Sequence, residues 1–464
     1  MRKLYIILLL LSCVGVVFGQ NIPENTSYYR IYDFLDELAT DGVIDVNSAI
    51  KPYNRNFIAS ALKEAKSKDS LLHKRQIADL DFFMSEFAQE LDTMPKAYVH
   101  WSDKKSFDLS LLQPQFIYQN KYFKFQLRPI IGMDLIYNKK GLIMKRWYGG
   151  DIQMDVVKHV SLWGNLRDYS YNGNNLSDEY FPNSAAKMYG ARITQPGFLN
   201  NLPGAQYKEA NYGGDFSDFR GGIKVYDWWG SIGVVKDQLQ WGETYNCSNI
   251  ISGRAPSFPM ITMNLTPCKW FEFNYIHGWM VSNLVDSTYY YTEETYTTET
   301  SKTHYRPMNK FIAANMFTFK PIPGLNLSFG NSIIYAERNV QLMYFIPFAF
   351  FKSLDHLMTK GLSVENQNSQ MFISLSSRNI KHLHLYASFF IDEFNTKRLS
   401  NDEHNLISYK AGFNVSNWPL KNLSYGFEYE SDRKTVFLTF TVHTIFGDIQ
   451  TEKAVDLNIL EPTL

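Results

Sequence analysis

Aromatic and charged side chains gather in the middle of this chain, between Trp228 and Trp279. An indole ring can stack on the apolar CH face of a sugar ring, while sugar hydroxyls need hydrogen-bond donors and acceptors beside it. The same tryptophans would equally suit the interfacial girdle of a membrane barrel, or a core. For a sugar-binding surface, the candidate residues are Lys236, Asp237, Trp241, Glu243, Arg254, His277 and Trp279.

Two further pairs of residues have spacings that bear on catalysis or metal binding. Asp392 and Glu393 are adjacent, so on a strand they point to opposite faces and cannot easily share one glycosidic bond; in a turn that objection weakens. His382 and His384 have the spacing of two ligands on one strand face, which also fits ordinary polar positions. The sequence contains no GxSxG, HExxH or Walker motif. We therefore expect no enzyme, cofactor or metal site, with a secreted glycan-active hydrolase that uses Asp392 or Glu393 as the catalytic alternative.

The N-terminus has the form of an export signal. Arg2 and Lys3 precede the apolar run Leu4–Val17, and cleavage after Gly19 would make residues 1–19 a signal peptide. No later run reaches the roughly 18–20 apolar residues of a membrane helix. The exported protein is thus expected to be either soluble or a closed β-barrel in a membrane.

The amino-acid composition limits the classes of molecule that the chain is expected to bind. The formal net charge of +0 is unfavourable for an electrostatic nucleic-acid binder. Aromatic residues make up 16% of the chain, which suits the interfaces of a membrane barrel. Cys247 and Cys268 follow the signal, and the sequence leaves open whether they pair.

Residues 20–95 show helical spacing. Ile31, Leu35 and Leu38 recur on one face before Gly42, and Phe57–Lys66 forms a second stretch. A third stretch repeats the spacing, through Leu72, Ile77, Leu80, Phe83, Phe87 and Leu91, with Pro95 behind it. These stretches predict a three-helix bundle whose apolar sides cover each other or another body.

Over residues 96–447 the spacing of the apolar residues changes, and they recur at every second position. Tyr425, Phe427 and Tyr429 would share one face of a strand, and Glu428 and Glu430 the other. In a soluble sandwich the apolar face would be the core, whereas in an outer-membrane barrel it faces lipid. Segments near ten residues between turns match tilted membrane strands better than sandwich strands. Residues 448–464 read as a polar C-terminal tail.

Motifs in order along most of the chain resemble those of the outer-membrane capsule-assembly (Wzi-type) proteins, in the form found in Bacteroidetes-like bacteria. The motifs that carry the resemblance are Lys51-Pro52-Tyr53, Phe219-Arg220-Gly221-Gly222, Lys236-Asp237, Gln240-Trp241-Gly242, Ala255–Pro259, Lys269–Phe273, Tyr275–Trp279, Tyr344–Pro347 and Ile391–Phe394.

The resemblance implies a large antiparallel outer-membrane β-barrel with a small α-helical bundle at its periplasmic end. It also implies a lectin-like, non-catalytic protein that binds or anchors capsular or exopolysaccharide at the cell surface, in contact with outer-membrane lipid and acting as a monomer. The resemblance implies a strand number in the high teens. Family members usually carry several further strands after the region of Tyr425–Glu430, so we expect fewer strands here if the chain is truncated at its end. An outer-membrane porin or transporter is the main alternative. Because aromatic and charged side chains crowd the segments that would line the lumen, we expect a lumen filled by side chains and closed by the helical bundle rather than an open pore.

Overall fold

The computed structural model describes residues 21–93, 99–102, 105–108, 114–138, 141–157, 159–173, 205–210, 213–246, 248–253, 255–280, 285–294, 301–361, 367–393, 406–431, 436–444 and 453–456. The predicted signal peptide, Pro95, Cys247 and Arg254 lie outside these residues. Cys268 has a free thiol.

Three helices form the N-terminal bundle: α1 (Tyr29–Thr40), α2 (Arg55–Ser67) and α3 (Lys74–Glu86). Ile31, Leu35 and Leu38 project from one side of α1 and are fully buried in the bundle core, as their spacing predicts. The chain turns out of α1 at Gly42, whose φ of 75° is a conformation that glycine adopts without strain. A short helix, α4 (Phe351–His356), occurs later in the chain, flanked by the single-turn segments Leu342–Phe345 and Leu357–Gly361.

Strands account for most of the rest. In the first half they are β1 (Ile50–Lys51), β2 (Val99–Ser102), β3 (Lys105–Asp108), β4 (Gln115–Gln119), β5 (Phe123–Asn138), β6 (Gly141–Val156), β7 (Val160–Gly173), β8 (Ala205–Ala210), β9 (Gly213–Asp227), β10 (Gly230–Asp237), β11 (Gln240–Trp241) and β12 (Ile251–Ser252). In the second half they are β13 (Phe258–Cys268), β14 (Phe271–Met280), β15 (Val285–Glu294), β16 (Ser301–Pro307), β17 (Lys310–Ile322), β18 (Leu325–Ala336), β19 (Gln367–Ile380), β20 (Leu383–Glu393), β21 (Leu406–Ser416), β22 (Leu423–Ser431), β23 (Val436–Thr444) and β24 (Lys453–Asp456).

One antiparallel sheet forms the barrel wall. Its ladder follows chain order from β2 to β7, continues through β9, β10, β13, β14 and β17, and then follows chain order to β24. β8 adds to β9, β15 pairs with β16, and β1, β11 and β12 form a small separate sheet. Within the described residues no pairing joins β2 to β24. β24 lies in the stretch predicted as a tail.

The two faces of the wall differ as the period of two predicts. On β5 the outward residues include Ile131, which is 85% exposed, together with Leu127, Met133, Leu135 and Tyr137. Their neighbours Lys124, Gln126 and Arg128 point inward, where they meet polar groups. On β22 the Glu428 carboxylate likewise points inward and accepts a hydrogen bond from Thr244 at 3.0 Å. The apolar face of the sheet is therefore the outside of the barrel.

Antiparallel order gives the barrel two unlike ends. Short turns close one end, among them residues 120–122, 228–229, 269–270, 323–324, 381–382 and 417–422. The longer connections between β10 and β13, between β14 and β17, and between β18 and β19 start from the opposite end. We call these the turn end and the loop end.

The helical bundle occupies the lumen at the turn end. Lys124 of β5 donates to the Gln89 carbonyl at 2.7 Å, and Asn326 of β18 donates to the Val46 carbonyl at 3.1 Å. In the turn between β21 and β22, Asn417 donates to Glu37 at 2.7 Å. Because one small bundle contacts strands from β5 to β22, the sheet must curl around it. This confirms the predicted fold, a large antiparallel barrel with an N-terminal bundle, over separate soluble sandwiches.

Among the described residues, none of the helices combines the length and apolar character required to cross a membrane.

Candidate functional site in the barrel lumen

Three of the predicted sugar-binding residues lie inside the barrel. Asp237 forms a buried ion pair with Arg220, whose Nε lies 2.6 Å from the carboxylate. Trp241 is 1% exposed and packs edge-to-face on Phe372, with 6.4 Å between the ring centroids. Glu243 follows it into the lumen, where its carboxylate is also buried. All three side chains are therefore packed in the interior of the barrel.

Three others lie on the outer side of the wall. Lys236 shares the outward face of β10 with Ile232 and Val234, and its Nζ donates to Ser257 Oγ at 2.6 Å. His277 is fully buried, since its ring stacks on Phe345 at 4.2 Å and its Nε2 lies 2.8 Å from Tyr335 Oη. Trp279 contacts the edge of the His277 ring at 5.5 Å.

The described members of the predicted set are thus split between two faces of the wall. Lys236 and Asp237 are neighbours in β10, so their side chains point in opposite directions. Arg254 lies outside the described residues. A role for each residue in binding polysaccharide stays a prediction, but the set does not form one surface.

The histidine and carboxylate candidates are also separated. His382 lies in the turn before β20 and contacts Asp41 of the bundle at 2.8 Å, whereas His384 points into the lumen and contacts Ser376 Oγ at 2.9 Å. Asp392 accepts a hydrogen bond from Asn368 at 2.7 Å. In the part of the chain that the structure describes, no group of three or more His, Cys, Asp or Glu side chains is arranged to hold a metal ion.

A buried polar network joins the bundle to the wall. Arg378 of β19 is paired with Asp36 of α1, and it donates to Ser48 Oγ at 2.8 Å. Burial opposes ionisation of Asp36 and is the largest single effect, but the Arg378 guanidinium, His384 and the hydrogen bond from Tyr245 together lower the pKa of that carboxyl. Burial raises the pKa of the nearby Glu243 carboxyl, and Arg378 only partly offsets that effect. The network fixes the orientation of the bundle inside the barrel.

A cavity of about 390 Å³ lies between the bundle and the wall formed by β5, β6, β7 and β9. The bundle side is formed by residues 22–28 and by Glu86 at the end of α3. The wall contributes Arg128, Trp163 and Arg167 among others. Most charges there are matched, as in the Arg128–Asp151 pair at 2.8 Å.

Arg167 is the exception among the cavity cations. Its Nη1 lies 3.3 Å from Ser27 Oγ and 3.5 Å from Tyr169 Oη, both neutral groups. Its Nε is buried without a hydrogen-bond partner, and no described carboxylate lies within ion-pairing distance. The cavity therefore contains a guanidinium with unused capacity to bind an anionic oxygen.

Aromatic rings continue the same wall from the cavity toward the loop end. Trp147 and Tyr169 are cross-strand partners with ring centroids 6.3 Å apart, and Lys145 Nζ lies 5.2 Å from the Trp147 ring. The indole lies so close to Gly132 that a Cβ there would be 2.1 Å from Trp147 Cζ2. We call Lys145, Trp147, Arg167 and Tyr169 the lumen shelf.

None of the shelf residues stood out in the sequence. The available signal was the alternation Trp163, Asn165, Arg167 and Tyr169 along β7, with Leu162, Gly164 and Leu166 between them. That pattern assigns the polar and aromatic residues to the lumen face of the strand.

The fold and the lumen together define a barrel-shaped antiparallel sheet plugged by its own helical bundle. Among solved structures, the chain is similar to Wzi of Escherichia coli, described as an outer membrane protein involved in group 1 capsule assembly and as a carbohydrate-binding β-barrel. That match has 12% sequence identity and a TM-score of 0.42, and it covers 93% of this chain and 86% of the other. At that TM-score the likeness does not assign this chain to a family. No family model and no curated protein matches the sequence.

Proposed function

We propose that this protein is an outer-membrane barrel that binds an acidic polysaccharide at the cell surface through the cavity and lumen shelf, without catalysing a reaction. The observation that carries the proposal is Arg167, a cation without a carboxylate partner that lines a cavity beside Trp163 and below two further aromatic rings.

Membrane placement is supported by the wall itself. Its outward side chains are large and apolar, as on β5, and a soluble protein would rarely expose so extended an apolar surface. Exposed aromatic rings mark the turn end, at Tyr122, Trp228, Trp270 and Trp418, which is the position of an interfacial girdle. Short turns in such barrels face the periplasm, so the loop end would face outward.

The filled lumen favours binding over transport. The bundle meets the connection after β10 inside the barrel, where Thr26 donates to Gln238 at 3.2 Å and Tyr245 donates to Asp36. The same connection contacts the wall, since Tyr245 Oη lies 2.8 Å from His384 Nδ1 and Lys410 Nζ lies 3.1 Å from Thr244 Oγ1. A conducting pore would require this interior to be empty, as in porins. We therefore favour a plugged barrel over the porin or transporter alternative.

The chemistry of the shelf suits a negatively charged sugar. Arg167 offers a planar set of donors that matches a carboxylate. Trp147 and Tyr169 offer flat faces for the CH side of a sugar ring. Lys145 lies over both rings and is paired with Asp134 at 3.6 Å, so Arg167 supplies the cation for the sugar carboxylate. Asn165 and Gln153 are close enough along the same wall to contact hydroxyls. A long polymer would add many such weak contacts.

The test is binding of an oligosaccharide that contains hexuronic acid, and of its carboxyl-reduced form, to the purified protein in detergent. Arg167→Gln should weaken binding of the acidic oligosaccharide about 10- to 100-fold, because a hydrogen bond to a charged group contributes about 1.5–3 kcal/mol. The carboxyl-reduced form should bind the parent protein and the variant about equally.

Arg146→Gln is the matched control, since Arg146 lies on β6 one residue from Trp147 but on the exposed outer face. It should leave both affinities unchanged. An Arg167→Gln protein that is folded and keeps the parental affinity for the acidic oligosaccharide would rule out this site. Capsule retention by Trp279→Ala, checked for membrane insertion, would report separately on the outward aromatic residues.

A further inference from the structure

The connection between β18 and β19 folds back over the outside of the barrel. We call its residues 337–361 the outer strap. It contacts residues that share the wall's outward face with the exposed side chains Phe329 and Ile373. It therefore lies on the apolar side of the sheet rather than in the lumen.

Hydrogen bonds attach the strap to the wall at mid-strand. Asn315 of β17 donates to the carbonyls of Pro347 and Ala349 at 2.9 and 2.8 Å. Asn331 of β18 accepts from the Phe351 amide at 2.7 Å. These outward asparagines, which are otherwise out of place on an apolar face, satisfy backbone groups of the strap that lipid could not satisfy.

Apolar packing completes the contact. Tyr344 and Phe351 of the strap are fully buried against Phe273, Tyr275 and Tyr335 of the wall. Phe348 stacks on Phe273 with ring centroids 4.3 Å apart. The strap is thus a packed part of the barrel's outer surface.

From Leu342 to Phe350, the side of the strap that points away from the wall is also apolar, and the exposed polar residues of the strap, Arg338, Asn339, Ser353, His356 and Lys360, lie on either side of that stretch. Leu342 is 80% exposed and Phe348 is 56% exposed, and they are joined by Ile346, Phe350 and Leu357. This surface continues onto the exposed apolar wall, because Phe348 contacts Phe317, which stacks on Phe329, the cross-strand neighbour of Ile373.

The strap also extends along the barrel axis. Phe345 stacks on His277, while Phe348 stacks on Phe273, four residues closer to the turn end of β14. Four strand residues span about 13 Å, which is a large part of the apolar band of about 25 Å around such barrels.

We propose that the outer strap is immersed in the membrane, with the exposed side chains of Leu342, Ile346, Phe348, Phe350 and Leu357 in contact with lipid acyl chains. This inference rests on the proposed membrane location of the barrel. Irregular loops exposed to lipid are otherwise not found at membrane depth. The strap would be tolerated there because side chains of the wall form hydrogen bonds with its backbone.

The experiment uses the full-length protein with Cys247 and Cys268 replaced by serine, reconstituted in phosphatidylcholine vesicles with or without brominated acyl chains. Single cysteines at Phe348→Cys and Leu342→Cys carry a bimane label. Ile373→Cys on the wall is the lipid-facing reference, and Lys121→Cys in a short turn is the aqueous reference. Heat-modifiable gel migration verifies that each variant is a folded barrel.

Quenching by brominated lipid at positions 348 and 342 should lie within about twofold of that at Ile373→Cys, with little quenching at Lys121→Cys. If Ile373→Cys is quenched while both strap positions are instead quenched by aqueous iodide, the strap inference is wrong and the membrane barrel stands. If Ile373→Cys is not quenched either, the proposed membrane placement is also wrong.

Discussion

Arg378 should control how firmly the bundle is held in the barrel. Its side chain is 3% exposed and pairs with Asp36 of α1, while its Nη2 also lies 3.1 Å from His384 Nδ1. Arg378→Ala removes the cation but leaves the Asp36 carboxylate inside the barrel. An unpaired buried charge is the costly outcome of such a change.

The magnitude follows from the burial of the two partners. Breaking a buried pair by removing one partner typically costs about 3–5 kcal/mol. Because the Asp36 side chain retains 20% of its exposure, we expect a value near the lower end of that range. A cost of about 3 kcal/mol raises the population of the undocked bundle about 100-fold.

Amide hydrogen exchange in α1 measures this population directly. The protection factors of Leu35–Thr40 should fall about 100-fold in Arg378→Ala, while strands β20 and β21 keep their protection. Lys66→Ala is the control: its pair with Asp81 is 3.1 Å long but 41% and 60% exposed, so it should change protection by about twofold at most. Equal protection of α1 in both variants, or loss of protection throughout the wall, would refute the assigned role of Arg378.

Four further outcomes are expected. Trp241→Ala should lower the free energy of unfolding by about 3–5 kcal/mol, because it empties a buried aromatic position, as measured by denaturant unfolding in detergent. The pKa of Asp36 is lowered in the folded protein, so its ion pair stabilises docking of the bundle above the unfolded-state pKa of about 3.9. This stabilisation is lost as the pH falls through the folded-state pKa. The hydrogen-exchange protection of α1 should therefore drop below about pH 4 in the parent protein but not in Arg378→Ala. Asp392→Asn combined with Glu393→Gln should leave polysaccharide retention intact, and loss of a hydrolytic activity in that variant would contradict the non-enzymatic interpretation. Planar-bilayer recordings of the parent should lack large, steady single-channel currents, whereas such currents would favour the porin alternative.

The wall was predictable from sequence because a barrel with an apolar outside and a polar lumen repeats one rule on every strand. Phe427 and Tyr429 alternate with Glu428 and Glu430, and the structure places Glu428 in the lumen. The helices of the bundle were equally clear, since Ile31, Leu35 and Leu38 share one helical face. Both patterns are local and depend only on neighbours along the chain.

The site was less predictable because it depends on how distant segments fill the lumen. Trp241 is near the start of a connection at the loop end, where a sugar-binding tryptophan would be expected, yet its backbone pairs with Ile50 and the ring is buried beside Phe372. The sequence does not distinguish Arg167, since a lone arginine within a strand is ordinary. Its importance arises because Asp218, its cross-strand neighbour, contacts Ser257 and Lys236 instead, so that no described carboxylate pairs with Arg167; no local pattern reveals this.

Polar residues at outward positions, which break the alternation of apolar and polar side chains along the strands, were the more informative signal. Asn315 and Asn331 occupy outward positions on neighbouring strands, and His277 occupies another on β14. In a wall that faces lipid everywhere, these polar groups would have only wall partners, namely Asn315 for Asn331 and Tyr335 for His277, and would remain exposed to lipid. Each is instead covered by the outer strap or hydrogen-bonded beneath it. Polar residues on the apolar face of a barrel thus indicate where another part of the same chain covers the wall, while an unpaired cation on the polar face indicates where a ligand can bind.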